Sequence, residues 1–298
     1  MSGLGLGLGL GLGAHRKVGA KDPGELPAVF TVTAGDGTKY VRVRVSETTT
    51  VTPAGGTSIR IGSSGEFVTT PLTLAANTNQ DIYFKDAGSF IIPKRKLVTV
   101  LYLNNIGSSV ITGDITGMKL TSLYLISLGS SIITGDITGM KLTALYLSSL
   151  GSSIITGDIT GMKLTVLFLY YLGSSVIRGK ITGMKLTYLY LNNLGSSLTY
   201  GTNLLNITNT NGIQLQGNTV FATDAEYARL IHDAAIATWG GAYPFRIYAG
   251  TNDNCPDWDT VKSDVAVLRG KASWTIIPAA WLEDNGGTWP ADWNEYEG

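Results

Sequence analysis

The sequence predicts a mainly β fold with some α, wound as a repeat solenoid with a parallel sheet and preceded by a small antiparallel β-domain. Three observations predict it. A 22-residue unit recurs without a break through the centre of the chain. Within each unit, leucines alternate with polar or aromatic residues at the spacing of a strand. The composition is rich in Gly, Leu, Ile, Thr and Ser, and only 15% of residues are charged, which favours extended structure and tight turns over helical packing.

The elements follow in order. Residues 1–26 are a Gly-Leu leader, MSGLGLGLGLGLG and its continuation. No basic residue precedes its apolar stretch and Arg16 and Lys17 follow it, which is not the order of a secretory signal. In extended form Leu4, Leu6, Leu8, Leu10 and Leu12 share one edge and bare glycine the other. Such a strip suits docking into a larger assembly, so these leucines are the expected anchor; a disordered low-complexity segment is the alternative. Residues 27–76 hold AVFTVTA, KYVRVRV, TSIRIGS and EFVTT, alternating stretches separated by Gly-rich turns. They read as the small β-domain, with Arg42, Arg44 and Arg60 on solvated faces.

The solenoid is expected over 77–277, with regular repeats over about 98–201. In TSLYLIS, Leu123 and Leu125 point to one face of a strand and Ser122, Tyr124 and Ile126 to the other. One turn cannot bury its leucines alone. Stacking turns about 4.8 Å apart aligns them into a continuous apolar column. ITGDITG repeats the alternation, with Ile133 and Ile137 inward and Gly135 and Gly139 at corners, and predicts a second short strand per turn. DIYF reads as the first turn and GIQLQ as a later one. Helix-containing turns are expected over 223–277: a capping box at Thr223 to Glu226 opens a helix through about Trp239, and FRIYAG is a strand. Pro256 to Arg269 is a second helix closed by Gly270, and SWTII a last strand. The main sheet should then carry nine parallel strands from about residue 82 to 277. The Trp-rich tail, 278–298, is unassigned.

The spine Leu-x-x-Leu-x-Leu-x-x-Leu, as in Leu120, Leu123, Leu125 and Leu128, resembles the first half of a leucine-rich repeat, and IITGDITGM resembles the second half of plant-type members. The place of the family's ladder-forming Asn is taken by Ile106, Leu128, Leu150, Leu172 and Leu194, and that of its Pro by Thr138 and its equivalents. The resemblance implies a leucine-rich-repeat solenoid.

Composition narrows the function. Lys plus Arg equals Asp plus Glu at 22 each, so no long-range field favours nucleic acid, and no run of about 20 apolar residues predicts membrane insertion. One cysteine, Cys255, and two histidines, His15 and His232, offer neither a disulfide framework nor a ready metal site, and no cofactor is expected. Neither histidine sits near a nucleophile motif, so the chain reads as no enzyme. Stacking aligns Asp114, Asp136 and Asp158, with Lys180 fourth. A bound cation there competes with neutralisation by Lys119, Lys141, Lys163 and Lys185.

Variation between turns is confined to one surface. The outward columns read Val100, Ser122, Ala144, Val166, Tyr188; then Asn104, Ile126, Ser148, Tyr170, Asn192; then Asn105, Ser127, Ser149, Tyr171, Asn193. Between them runs an aromatic stripe, Tyr102, Tyr124, Tyr146, Phe168 and Tyr190. Tyrosine gives rigid contact area and small polar residues adaptable hydrogen bonds, the chemistry of binding surfaces. The expected ligand face is Tyr102, Tyr124, Tyr146, Phe168, Tyr170, Tyr171, Tyr188 and Tyr190, with Asn104 and Asn192. The expectation is a homo-oligomeric structural protein at a virion surface, similar in layout to a phage fibre. Its leader would join a capsid or tail protein and its solenoid face would bind a host-surface protein or glycan. A bacterial cell-surface leucine-rich adhesin is the alternative, and a polysaccharide-acting enzyme a lesser one.

Overall fold

The computed structural model describes residues 22–106, 109–181, 184–192, 198–199, 213–217, 224–236, 245–249, 258–271 and 274–278. The leader from Met1 to Lys21, Thr223, Cys255 and residues 279–298 of the tail lie outside the described residues. Seven strands come first: β1 (Ala28–Ala34), β2 (Asp36–Val45), β3 (Thr49–Ala54), β4 (Ser58–Ile61), β5 (Leu72–Leu74), β6 (Gln80–Lys85) and β7 (Gly88–Ile92). The repeats then give strands in pairs: β8 (Val98–Asn104) with β9 (Val110–Asp114), β10 (Ser122–Ile126) with β11 (Ile132–Asp136), and β12 (Ala144–Ser148) with β13 (Ile154–Asp158). β14 (Val166–Tyr170) with β15 (Val176–Lys180), and β16 (Tyr188–Asn192) with β17 (Leu198–Thr199), complete the series. After them come β18 (Ile213–Gly217), α1 (Asp224–Ile236), β19 (Phe245–Ala249), α2 (Trp258–Lys271) and β20 (Trp274–Pro278).

These strands build two layers. The main sheet has eleven strands in the order β20-β19-β18-β16-β14-β12-β10-β8-β2-β6-β4, and the second has nine, β17-β15-β13-β11-β9-β1-β7-β3-β5. From β1 to β17 the chain changes layer at every strand. The repeats make a mainly β, parallel-sheet solenoid of about four turns with 22-residue stacking, and antiparallel strands precede it. The two parts share both sheets. β2 pairs antiparallel with β8, and β1 with β9.

Two expectations are thereby corrected. DIYF is no turn of the parallel stack: its strand, β6, pairs antiparallel with both β2 and β4, and the parallel series begins only at β8. The main sheet accordingly carries eight parallel strands, β8 to β20, in place of nine. Alternating burial fixes which side of a strand faces the core, but not the direction of its neighbour. Ile213 to Leu215 and Phe245 to Ile247 do join the main sheet, in parallel. Helix α2 runs to Lys271, so Gly270 lies in its last turn and does not close it.

The core sits between the layers. Leu101, Leu103, Leu123, Leu125, Leu145 and Leu147 face inward from the main sheet and are fully buried, opposite Ile111, Ile133, Ile155 and Ile177 from the second. Removing one such side chain to Ala costs about 2–5 kcal/mol. At the N-terminal end three aromatics fill the space, with Phe30 and Phe90 stacked at 5.1 Å and Phe84 against Phe90 at 6.2 Å. Inside the second-sheet strands, glycine is required by close approach and not by a corner: a Cβ on Gly135 would sit 2.5 Å from Ile115 Cγ1. Gly139, at φ +74°, does turn a corner.

Two ladders of hydroxyls tie the turns together. Ser153 Oγ accepts a hydrogen bond from the Ile133 N–H at 2.9 Å and donates to the Ser131 carbonyl at 3.0 Å. Ser175 repeats the arrangement one turn on, accepting from Ile155 N–H at 2.8 Å and donating to the Ser153 carbonyl at 3.2 Å. On the opposite side Thr121, Thr143, Thr165 and Thr187 each donate to the threonine carbonyl one turn back, at 2.9–3.1 Å.

Candidate ligand-binding face

The outward side of the main sheet is built by register. Each strand of the stack pairs with the next at an offset of one whole repeat, so Tyr102, Tyr124, Tyr146, Phe168 and Tyr190 fall in a single row. The rings pack along that row. Tyr102 and Tyr124 lie 5.8 Å apart, Tyr124 and Tyr146 6.2 Å, Tyr146 and Phe168 3.9 Å, and Phe168 and Tyr190 4.4 Å. The two closest pairs are within 9° of parallel. The faces of Tyr146, Phe168 and Tyr190 are therefore turned to one another, and ring edges are what this part of the row presents to a ligand. Burial raises the phenol pKa of Tyr124, Tyr146 and Tyr188 above the ordinary value, which keeps these hydroxyls as donors well past neutral pH. Asn104 Nδ2 donates to the Tyr102 hydroxyl at 3.1 Å.

Aromatic side chains concentrate at β14 and β16. Tyr188 stacks on Phe168 at 6.0 Å, Tyr170 lies 5.9 Å from Tyr190, and Tyr171 meets Tyr170 edge-on at 4.4 Å. Asn192 lies in the same strand as Tyr190, with its backbone paired to Tyr170.

Several positions differ from the sequence expectation. Val100, Ala144 and Ser148 occupy outward columns yet are buried. Asn105, Ser127, Ser149 and Tyr171 do not belong to the flat face. Their φ values of +46°, +49°, +50° and +45° turn the chain out of the strand, so they line the rim of the sheet. Arg42 and Arg60, two of the arginines expected on solvated faces, lie partly exposed on this outward side and extend the aromatic row. Arg42 holds Asp81 through two hydrogen bonds of 2.6 and 3.0 Å, with its guanidinium 5.5 Å from the ring centres of both Tyr40 and Tyr102. Arg60 lies 4.5 Å from Phe67 and 5.0 Å from Tyr83, and Tyr83 packs on Tyr40 at 5.2 Å. The sequence carried the signal in KYVRVRV and DIYF, where Tyr40, Arg42 and Tyr83 share the alternation of the repeats. What it lacked was the strand pairing.

The aspartate column is structural in its contacts. Asp136 Oδ1 accepts the Thr138 N–H at 2.8 Å and Asp158 Oδ1 the Thr160 N–H at 2.7 Å. The threonine hydroxyls and then the N–H groups hold both carboxyls below their usual pKa, with Arg178 adding to the effect. At Asp114 burial pushes the pKa up, but Thr116 and Arg95, paired at 2.8 Å, outweigh it. His232 on α1 pairs with Asp264 on α2 at 3.0 Å. Among the described residues no three His, Cys, Asp or Glu side chains gather as metal ligands would, and no helix is long and apolar enough to cross a membrane. No protein family, curated protein or solved structure matches this chain.

Proposed function

We propose that the chain is a non-enzymatic structural and receptor-binding protein whose aromatic sheet face contacts a host-surface protein or glycan. In this reading the solenoid is a leucine-rich-repeat variant and the Gly-Leu leader docks the chain, as a homo-oligomer, into a capsid or tail protein at a virion surface. The observation that supports it is the row of rings from Phe67 through Arg60, Tyr83, Tyr40 and Arg42 to Tyr190, laid across both the antiparallel and the parallel strands. Core packing has no need of these outward side chains. Aromatic and arginine side chains are the usual anchors of an interface.

Two experiments test it. Tyr124→Ser, Tyr146→Ser and Tyr190→Ser leave every inward leucine in place. Each should cost about 1 kcal/mol of stability from lost stacking while attachment to target cells collapses. Ile132→Thr and Ile154→Thr, on exposed positions of the second sheet, are the control. Equal loss from both sets removes the assignment to this face. For the leader, deletion of residues 1–20 stops short of Pro23 and Gly24, which lie against Gly117. The melting transition should persist and incorporation into particles should fail; a misfolded truncation, or normal incorporation, refutes docking.

A further inference from the structure

We infer that a short neutral oligosaccharide binds along the rim of the main sheet, in the trough beside Tyr171. The inference rests on the proposed binding role and assigns the saccharide to a site apart from the stacked row. A trough of about 540 Å³ runs across four turns, lined by Asn105, Ser127, Ser149 and Tyr171 and floored by Gly129, Gly151 and Gly173. At about 4.8 Å per turn its three steps span about 14 Å, the length of a small chain of sugar rings rather than of a single ring. The floor is flat for a physical reason. A Cβ on Gly151 would sit 2.3 Å from the Gly129 carbonyl oxygen, so only glycine lets successive turns approach there.

The lining decides the ligand class. Among the described residues it contains no Asp, Glu, Lys, Arg or His, so a charged peptide or an acidic sugar would leave its charge without a partner. Amide and hydroxyl groups repeat along one wall, where they can exchange hydrogen bonds with a ligand rich in hydroxyls. Beside them stands a ring. Along Tyr146, Phe168 and Tyr190 ring faces are covered by neighbours at 3.9–4.4 Å, whereas Tyr171 is 52% exposed and meets Tyr170 in a T-shaped contact. An exposed aromatic ring beside an uncharged trough can take the apolar face of a pyranose ring while its hydroxyls meet the asparagine and serine side chains.

Tyr171 also stands where packing and backbone would choose something else. The position needs a left-handed backbone, and the equivalent residues are Asn105, Ser127 and Ser149, small side chains that tolerate it; a tyrosine at φ +45° is the unfavourable choice of the four. Nothing in the core gains from it.

The test uses the whole chain on a printed array of neutral oligosaccharides beside sialylated and sulfated ones, with Tyr171→Asn and Ile132→Thr as variants. Neutral oligosaccharides should be retained and charged ones not. Tyr171→Asn should weaken retention by about tenfold or more while its melting temperature stays equal or rises; Ile132→Thr, on the second sheet, should hold within about twofold. Retention only of charged sugars, retention unchanged by Tyr171→Asn, or no retention of any sugar overturns the inference. The cell-attachment comparison of Tyr124, Tyr146 and Tyr190 still reports on the sheet face in each of those cases, so the two failures are distinguishable.

Discussion

At the scale of single residues, the serine pair in each repeat divides its work. Ser131, Ser153 and Ser175 are buried and take the N–H groups of Ile111, Ile133 and Ile155, while Ser130, Ser152 and Ser174 stay exposed. Ser153→Ala would leave the Ile133 N–H without an acceptor inside the core, a loss of about 1–3 kcal/mol. Ser152→Ala, one residue away, should change stability by no more than about 0.5 kcal/mol. Urea denaturation of both variants checks this; equal midpoints would show that the ladder carries no stability. Ser109 marks the first rung, and its buried Oγ has no hydrogen-bond partner. The neighbouring strand there is β1, which runs antiparallel, so the pattern that serves the later serines has no counterpart.

At the scale of elements, the two sheets keep different registers. In the main sheet Leu123 lies beside Leu145, one full repeat away. In the second sheet Thr134 lies beside Ile154, so each strand slides by two residues relative to the last. The aspartate turns bridge this offset: Thr138 Oγ1 accepts the Asp158 N–H at 3.1 Å and Thr160 Oγ1 the Lys180 N–H at 3.0 Å. Thr138 and Thr160 are thus part of the stack. Because Asp114, Asp136 and Asp158 have folded pKa values below the unfolded one, their contribution is present above about pH 4 and is lost as pH falls through the folded values. Replacing all three by Asn should flatten the fall in melting temperature over that acid range; an unchanged slope would assign acid sensitivity elsewhere.

Much of this level was legible in the sequence. The period and the inward leucines specified the strands, and the Ile-x-x-x-Ile alternation gave the second strand of each turn. The slide of two residues was not legible, since both registers keep the same residues inward. Nor was the left-handed backbone at Ser127 and Tyr171, where neither residue type announces a positive φ. Tyr102 to Tyr190 could be named as a row from spacing alone. That their faces cover one another depends on side-chain angles that no pattern encodes.

For the molecule as a whole, one apolar core runs from Phe30 in β1 through the stack to Leu191 in β16. The antiparallel strands close one end of it, with Phe30, Phe84 and Phe90 in place of the leucines. Removing one complete repeat, residues 123–144, joins Ser122 to Leu145 and preserves both the layer alternation and every facing column. The shortened chain should fold, lose part of its stability, and shorten by about 4.8 Å in solution scattering. Removing half a repeat, residues 123–133, sends each later strand to the wrong layer and should abolish cooperative unfolding. Similar folding of the two deletions would refute the alternating path.

The parallel pairing has a mechanical meaning. Hydrogen bonds between turns run along the axis of the stack, so tension applied along that axis loads them one row at a time, as in peeling. Tension along the strands would load all rows of a sheet together. A chain pulled from its two ends would pay out one turn per event, each releasing 22 residues, about 75 Å of extended backbone. Single-molecule extension should show a train of low, evenly spaced force peaks from the repeats. A tether of this kind lengthens by steps under load, and the turns not yet released keep their contact surface intact.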